Sequence, residues 1–154
     1  MDIELNLTTE SVAQASPAQP VCVAPETTVR EVLELMKERR VGSVLICRDE
    51  ALAGIFTERD ALRILAARGD LDRPIERVMS DVPASISADA NVAAAIQRMS
   101  FGGYRRLPIV DAQNKPKGVL QSSGIVHYLV QHFPKTVYNQ PPVPFPATQL
   151  REGS

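Results

Sequence analysis

Apolar and polar positions along the chain form the same pattern twice, 63 residues apart. Each copy has a stretch with apolar residues three or four positions apart, as on one face of a helix, followed by a short apolar run typical of a buried strand. The positions are Val29, Leu33, Met36 and Val44–Cys47 in the first copy, and Val92, Ile96, Met99 and Leu107–Val110 in the second. A duplication of this length predicts one supersecondary unit used twice, with each copy covering the apolar face of the other.

Capping and turn residues divide each copy into strand, helix, strand, strand, helix, which predicts an α/β (α+β) fold. In the first copy the elements are Val21–Val23, a helix capped by Thr27 or Thr28 and ended by Gly42, Ser43–Cys47, Leu52–Phe56, and a helix that begins at Thr57 with Leu62, Ile64 and Leu65 as apolar contacts. In the second they are Ile86, a helix capped by Asp89 or Asn91, Leu107–Val110, Gly118–Leu120, and a helix with Ile125, Val126, Leu129 and Val130 on its apolar face.

The segments outside the copies differ in composition. We expect an N-terminal segment at 1–16, a first repeat at 17–74, a linker at 75–82, a second repeat at 83–135 and a Pro-rich tail at 136–154. In the N-terminal segment, Thr8–Ala13 predicts the start of a short helix that Pro17 stops. Prolines between Pro134 and Pro146 exclude a regular helix or central strand from the tail, which leaves an extended strap or a solvated end.

Charge and cysteine content argue against several classes of function. Seventeen basic residues against eighteen acidic ones leave no positive excess for nucleic acid or an anionic membrane surface. No apolar run reaches transmembrane length, and Met1–Glu4 lacks the features of a signal peptide, so we expect a cytoplasmic protein. Cys22 and Cys47 lie in apolar runs without CxxC spacing, which predicts two buried thiols in a reducing compartment rather than a disulfide or a metal site.

Two short motifs resemble one known family. Gly54–Asp60 has the order Gly, two apolar residues, Thr, two variable residues, Asp, and Tyr104–Asp111 is similar to that family's middle strand. Together, at the repeat spacing, they resemble the tandem CBS-domain pair, or Bateman module. The resemblance implies two β-α-β-β-α repeats packed sheet to sheet about a pseudo-twofold axis, with two clefts between them. It also implies an adenine nucleotide or another adenosyl ligand in a cleft, a homodimer formed through the helices, and a non-catalytic regulatory role toward an unidentified protein.

Thr57 and Asp60 have both a structural and a functional interpretation. Thr-x-x-Asp at a helix start approximates a capping box, and an acidic residue in the first turn suits the helix dipole. An ionised carboxylate also accepts hydrogen bonds from the vicinal hydroxyls of a ribose. By the family resemblance, Asp60 binds the ribose, while Thr57 and Arg59 lie beside the sugar and phosphate.

Arg105 and Arg106 are the candidates for phosphate binding, because a guanidinium matches the geometry of a phosphate. The alternative is a solvated pair at the start of a strand. Because adjacent strand residues face opposite ways, we expect only one of the two side chains to point into a cleft. In the family, strands of the second repeat complete the cleft that holds the acidic residue of the first. Carried over to this chain, the residues that complete the cleft of Asp60 are Pro83, Ala84, Arg105, Arg106 and Pro108.

The other cleft lacks these polar groups. Its equivalent positions are Gly124 for Asp60, Gln121 for Thr57, and Gly42 and Ser43 for the arginine pair. We therefore predict one competent nucleotide site per chain.

Catalytic and metal sites have little support in the sequence. No Ser-His-Asp or Cys-His set is visible, and His127 and His132, five residues apart, do not share a helix face. The favoured function is a non-catalytic sensor for AMP, ADP or ATP. Two alternatives stay open: a dimerisation or docking module without a ligand, and a binder of another adenosyl compound such as S-adenosylmethionine or NAD, since each contains a ribose.

Overall fold

Four α-helices and two β-sheets make up the described part of the chain. The computed structural model describes residues 11–15, 17–81 and 84–132, so the predicted tail at 136–154 lies outside it. The helices are α1 (Val29–Arg39), α2 (Glu58–Ala66), α3 (Val92–Gly102) and α4 (Ser122–His132). The strands are β1 (Cys22–Val23), β2 (Ser43–Arg48), β3 (Ala51–Thr57), β4 (Ser80–Asp81), β5 (Ile86–Ser87), β6 (Arg106–Val110) and β7 (Pro116–Gln121). Short 3-10 helices lie at Val12–Ala15 and Ile75–Arg77.

The two repeats form separate sheets with matching topology. In the first sheet the strand order is β1-β2-β3-β4, with β1 parallel to β2 and an antiparallel β2–β3 hairpin. The second has the order β5-β6-β7 with the same parallel and antiparallel pairs. The predicted order of strand, helix, strand, strand, helix is therefore confirmed in both copies. Strand β4 was not predicted, and its two residues pair with Gly54 and Ile55 of β3.

Side-chain caps and a backbone turn set the limits of the helices. Thr28 Oγ1 accepts from the Glu31 N–H at 3.1 Å, while the Glu31 carboxylate accepts from the Thr28 N–H at 3.2 Å. Of the alternatives for each repeat, Thr28 caps α1 and Asn91 caps α3. Arg40 follows α1 with a φ of 54°, and this left-handed residue ends the helix before the predicted limit at Gly42.

Each repeat has its own core, and the segment that precedes one repeat packs into the core of the other. Ile75, in the linker, is fully buried among residues of α1, β2 and β3 in the first repeat. Val12 and Ala15, near the N-terminus, are buried with residues of α3 and α4 in the second repeat. Two backbone bridges mark this exchange at equivalent positions of the copies: Ser11–Asn91 and Thr28–Pro74.

The two sheets face each other across a small apolar cluster. Leu45 and Ile55 of the first repeat pack against Val119 of the second. Ala18 joins this region, because its N–H donates to the Val119 carbonyl and its carbonyl accepts from the Val119 N–H, both at 3.0 Å. The predicted packing of two repeats sheet to sheet is confirmed by these contacts.

Two hydrogen bonds join the start of β3 in the first hairpin to the turn of the second hairpin. The Leu52 N–H donates to the Asn114 carbonyl at 2.9 Å, and the Asn114 side-chain amide donates to the Leu52 carbonyl at 3.2 Å. We call this pair of hydrogen bonds the turn clasp. Lys115 also forms an ion pair with Glu50 at 3.0 Å, but the pair is exposed and contributes little stability.

Asn114→Ala is expected to lower the free energy of unfolding by about 1–2 kcal/mol. The variant removes the side-chain half of the turn clasp and places alanine at a φ of 63°, a left-handed conformation that asparagine tolerates better. Asn114→Gly is the matched control, since glycine loses the same hydrogen bond without the backbone strain and should cost less. Urea unfolding measures both. An equal cost for the two variants would show that backbone strain plays no part.

Several predictions about the exposure of apolar side chains are wrong. Leu62 and Leu65 are 67% and 51% exposed, and the buried residue of α2 is Ala61. Since successive helix residues are about 100° apart, a helix that faces the core with Ala61 turns Leu62 toward solvent. In α4, Val126 is 60% exposed and Tyr128 is buried in its place.

The prediction of two buried cysteines is also wrong. Cys22 is exposed, because β1 is the edge strand of its sheet, and Cys47 on the neighbouring strand β2 is half-buried. Both are free thiols on neighbouring strands. Burial raises the pKa of Cys22 and, more strongly, that of Cys47 to about 12. Cys47 is therefore protonated at neutral pH and is a poor nucleophile.

Candidate functional site

One cleft lies between the repeats, where the end of β3 and the start of α2 meet the segment that leads into β6. Its volume is about 820 Å³. Seven residues predicted for a binding site line it: Thr57, Arg59, Asp60, Ala84, Arg105, Arg106 and Pro108. The eighth, Pro83, lies outside the described residues. The structure thus brings the predicted residues of both repeats together in one space, which we call the Asp60 cleft.

The start of α2 holds Asp60 in a defined position. The Thr57 N–H and hydroxyl donate to Asp60 Oδ2 at 2.9 and 3.1 Å, and the Asp60 N–H donates to Thr57 Oγ1 at 3.4 Å. The predicted capping box is therefore confirmed. Among the described residues, the other carboxylate oxygen, Oδ1, accepts only a long bond of 3.5 Å from the Ser80 hydroxyl. Because each carboxylate oxygen can accept two hydrogen bonds, Oδ1 keeps capacity for a hydroxyl group of a ligand.

Arg105 and Arg106 both line the cleft, although neighbouring residues of a strand face opposite sides. The alternation does not apply here, because Arg105 lies in a bend and β6 begins at Arg106. Arg105 is exposed and Arg106 is half-buried. Arg106 Nε is buried and has no hydrogen-bond partner among the described residues. A buried N–H without a partner is unfavourable, and an anion that accepts from it would relieve this cost.

The charges of the Asp60 cleft favour an anionic ligand. Arg59 and Arg63 lie one helical turn apart on α2, and the two arginines of the second repeat bring the number of guanidinium groups in the lining to four. The carboxylates of the lining are Glu58 and Asp60. The cleft is therefore net positive, in a chain whose formal charge is −1.

Sequence reasoning missed several residues of the lining, among them Arg63, Ser80 and Tyr104. The spacing of four residues from Arg59 was a signal that could have found Arg63, because residues i and i+4 share a helix face. Tyr104 directly precedes the arginine pair, and its ring lies so close to Gly102 that a side chain there would collide with it. Ser80 had no signal, since it belongs to the short strand β4 that the pattern does not reveal.

The second repeat has Gly124 in the first turn of its last helix, where the first repeat has Asp60. One backbone hydrogen bond is the same at both helix starts. The Glu58 N–H donates to the Gly42 carbonyl at 3.1 Å, and the Ser122 N–H donates to the Arg105 carbonyl at 2.9 Å. The difference between the two positions therefore lies in the side chains. That only the Asp60 cleft binds a nucleotide stays a prediction.

The described residues offer neither a metal cluster nor a membrane-spanning helix. No group of three or more His, Cys, Asp or Glu side chains among them is arranged to hold a metal ion. None of the helices in this part of the chain is long and apolar enough to cross a membrane.

Comparison with known sequences assigns the two copies to one family. The profile of the CBS domain matches residues 12–67 and 75–131. The chain belongs to the CBS-domain family. The two CBS repeats form a tandem pair, as the two sequence motifs indicated, and their matched ranges begin at the two segments that pack into the opposite core. The CBS domain-containing protein YhcV of Bacillus subtilis is 36% identical over 105 residues, which are 68% of this chain and 75% of that protein.

Solved structures of CBS-domain proteins have the same fold. CBS domain protein PAE2072 from Pyrobaculum aerophilum, complexed with AMP, has a TM-score of 0.69 and 24% identity, covering 79% of this chain and 98% of that one. The CBS domain pair of MJ0100, in complex with 5′-methylthioadenosine and S-adenosylmethionine, has a TM-score of 0.69 and 20% identity over 77% of this chain and 98% of that one. At these identities the likeness shows the fold of the CBS pair and not its ligand.

Proposed function

We propose that this CBS pair binds an adenine nucleotide, AMP, ADP or ATP, in the Asp60 cleft and regulates an unidentified protein without catalysis. One observation carries the proposal: a carboxylate oxygen with spare acceptor capacity shares a cleft with four guanidinium groups. A nucleotide has matching parts, because its ribose offers two hydroxyl donors and its phosphates accept from guanidinium. The AMP complex of PAE2072 supports the same ligand class.

The proposed roles follow the positions of the side chains in the lining. Asp60 accepts from the ribose hydroxyls, with Thr57 and Arg59 beside the sugar and phosphate. Arg105 and Arg106 bind the phosphates, since Arg106 Nε has no other hydrogen-bond partner among the described residues. Ala84 and Pro108 contribute to the remaining walls. A role for Pro83 stays a prediction of the family resemblance.

The charge of the cleft favours a phosphate over S-adenosylmethionine. That ligand carries a sulfonium and an ammonium group beside one carboxylate, so its net charge is positive and it suits a lining with four arginines less well than a phosphate does. The MJ0100 complex nevertheless makes it the adenosyl compound to test beside the nucleotides. NAD contains both a ribose and phosphates, so the lining alone does not separate it from ATP.

A thermal-shift screen with AMP, ADP, ATP, S-adenosylmethionine and NAD tests the proposal. A ligand at a hundred times its Kd adds about 2.7 kcal/mol to the free energy of unfolding. For a domain of this size, that raises the midpoint by about 5–10 °C. We expect a rise with at least one nucleotide and none with S-adenosylmethionine. A rise with S-adenosylmethionine alone would change the ligand class, and a flat response throughout would favour a docking module without a ligand.

Exposed apolar side chains support pairing of two copies through the helices. Leu65 on α2, Phe101 on α3 and Val126 on α4 are 51%, 88% and 60% exposed. Leu62, which occupies the position equivalent to Val126, is exposed too, but it lines the Asp60 cleft and does not belong to this set. Several large apolar side chains left in water on a small domain indicate an interaction surface. We therefore propose a homodimer that covers these side chains.

Phe101→Asp combined with Val126→Asp is expected to convert the dimer to a monomer, because a charge at each position would be buried without a partner. Ser100→Asp is the matched control, since this exposed neighbour of Phe101 gains the same charge outside the apolar set. Light scattering after size-exclusion chromatography gives the mass of each variant. A wild-type protein that is monomeric at high concentration, or a double variant that remains dimeric, would contradict the proposed surface.

Regulation requires a ligand that binds one relative orientation of the repeats more tightly than another. The turn clasp and the Asp60 cleft lie at opposite ends of β3, which begins beside Leu52 and ends at Thr57. We propose that the clasp holds the repeats together at one end while a nucleotide draws them together at the other. The regulated protein would then bind one orientation of the repeats more tightly than the other.

The two cysteines bear on where the protein works. Cys22 and Cys47 lie on neighbouring strands, and both are free thiols. Neighbouring thiols stay reduced in a reducing compartment, so we propose a cytoplasmic location.

A further inference from the structure

We propose that Gly42 of the first repeat is a positioning residue, whose missing side chain leaves the space in which Arg106 of the second repeat reaches the Asp60 cleft. Gly42 lies directly before β2, outside the lining of the cleft. Its consequence for binding rests on the proposed function. The contact that it permits is a property of the folded chain alone.

Two charged side chains of the cleft approach the Gly42 backbone from different elements. A Cβ atom at Gly42 would lie 2.5 Å from Arg106 Nη2 and 2.5 Å from Glu58 Oε1. It would also lie 3.4 Å from Arg106 Cζ, so the body of the guanidinium is close as well as its edge. Atoms in proteins do not approach a Cβ this closely. With an alanine at position 42, the two side chains could therefore not keep their observed positions.

The backbone of Gly42 does not itself require glycine. Among the described glycines, only Gly103 has a positive φ, so an alanine at position 42 meets no backbone strain. The Gly42 carbonyl accepts from the Glu58 N–H at 3.1 Å, which is a hydrogen bond that any residue can make. What glycine provides at this position is therefore space for two side chains.

The effect of an added side chain is confined to groups that can move. Arg106 Nη2 and Glu58 Oε1 are the ends of long side chains, and such ends can change rotamer without disturbing the backbone. Arg106 Nε has no hydrogen-bond partner among the described residues, so no bond of that atom anchors the guanidinium. An alanine at position 42 would displace the guanidinium and the carboxylate and leave the fold intact.

The same residue links the two clefts. Gly42 stands where the second repeat has Arg105. A side chain at position 42 that supplied the other cleft with a cation would also fill the space that Arg106 occupies. One glycine thus leaves position 42 without a cation for the other cleft and leaves room for Arg106 in the Asp60 cleft.

Gly42→Ala is expected to weaken binding of ATP and of AMP by about tenfold, the size of one charge-assisted contact. The unfolding midpoint is expected to change by less than about 2 °C, because only side-chain ends move. Gly124→Ala is the matched control: the nearest atom to its new Cβ is the Ala15 carbonyl oxygen at 4.0 Å, so its affinity should equal that of the wild type. Isothermal titration calorimetry measures all three proteins.

A double-mutant cycle separates positioning of Arg106 from a general effect on the cleft. In an Arg106→Ala background, Gly42→Ala is expected to cause no further loss of affinity, because the guanidinium is gone and the other displaced group, the Glu58 carboxylate, does not bind a phosphate. Losses that add in the double variant would show that Gly42 acts through a different group, and they would overturn the inference.

A measurement without ligand keeps this inference separate from the proposed function. The NMR signal of the Arg106 Nε–H, assigned with Arg106→Lys, is expected to be protected from exchange with water because Nε is buried. Gly42→Ala is expected to remove the protection and Gly124→Ala to keep it. Protection that persists in Gly42→Ala, or that is missing in the wild type, overturns the inference. If the wild type binds no nucleotide, the proposed function fails while this comparison still decides the role of Gly42.

Discussion

Asp60→Ala is expected to weaken nucleotide binding by about 10- to 100-fold, because one hydrogen bond from a ribose hydroxyl to a charged group contributes about 1.5–3 kcal/mol. The carboxylate also caps α2, so we expect the variant to lose about 1 kcal/mol of stability. Calorimetric titration with AMP and ATP measures the first effect, and urea unfolding measures the second. The ratio of the two effects distinguishes a binding residue from a cap.

Glu31→Ala is the matched control for Asp60→Ala. Glu31 closes the capping box of α1 as Asp60 closes that of α2, but Glu31 is exposed and lies outside the cleft lining. The two variants are expected to lose similar stability, while only Asp60→Ala loses affinity. If Asp60→Ala bound nucleotides as tightly as Glu31→Ala, the carboxylate would serve only to cap its helix.

Local patterns made the repeat and its elements predictable. Helix periodicity, the caps Thr28 and Asn91, and the motif Gly54–Asp60 each depend on residues a few positions apart, so the sequence carries them directly. The capping box at Thr57 and Asp60 belongs to the same class. These patterns located Thr57 and Asp60 at a helix start, while their assignment to a ligand, with Arg59, came from the family resemblance.

Features that depend on contacts between the repeats were not predictable in the same way. Nothing near Val12 or Ile75 indicates that each packs into the opposite core, since the partner residues are far away in sequence. Strand β4 is two residues long and forms only because β3 is beside it. The exposure of Leu62 was missed because an apolar residue on a helix is ordinarily assigned to the core.

The site shows the same division between local and long-range information. Arg105 and Arg106 were assigned to the cleft through the resemblance, which carries the geometry of the family. The space that Gly42 leaves for Arg106 follows from atoms of three elements and has no local pattern. The sequence comparison of the two repeats predicts Gly42 for the other cleft, and only the fold shows that Arg106 of the Asp60 cleft approaches it.

Phe56→Ala is expected to lower the free energy of unfolding by about 3–5 kcal/mol, because it leaves a large cavity in a closed core. Phe56 is fully buried in the core of the first repeat and directly precedes Thr57. Domains of this kind have a total stability of about 5–15 kcal/mol, so the loss is a large part of it. Urea unfolding at 25 °C measures the change, and the midpoint of thermal unfolding is expected to fall by about 10 °C.

Phe101→Ala is the matched control, since the same atoms are removed from a side chain that is 88% exposed. Its cost in the monomer is expected to stay within about 0.5 kcal/mol. Both variants are compared at low protein concentration, because pairing through Phe101 would otherwise add its own stability.

Nucleotide at a hundred times its Kd is expected to restore about 2.7 kcal/mol to the free energy of unfolding of Phe56→Ala, since the cleft and this core share strand β3 and unfold together. Equal costs for the two variants would contradict the burial of Phe56 in the core. If nucleotide did not stabilise Phe56→Ala, the cleft and this core would not unfold together.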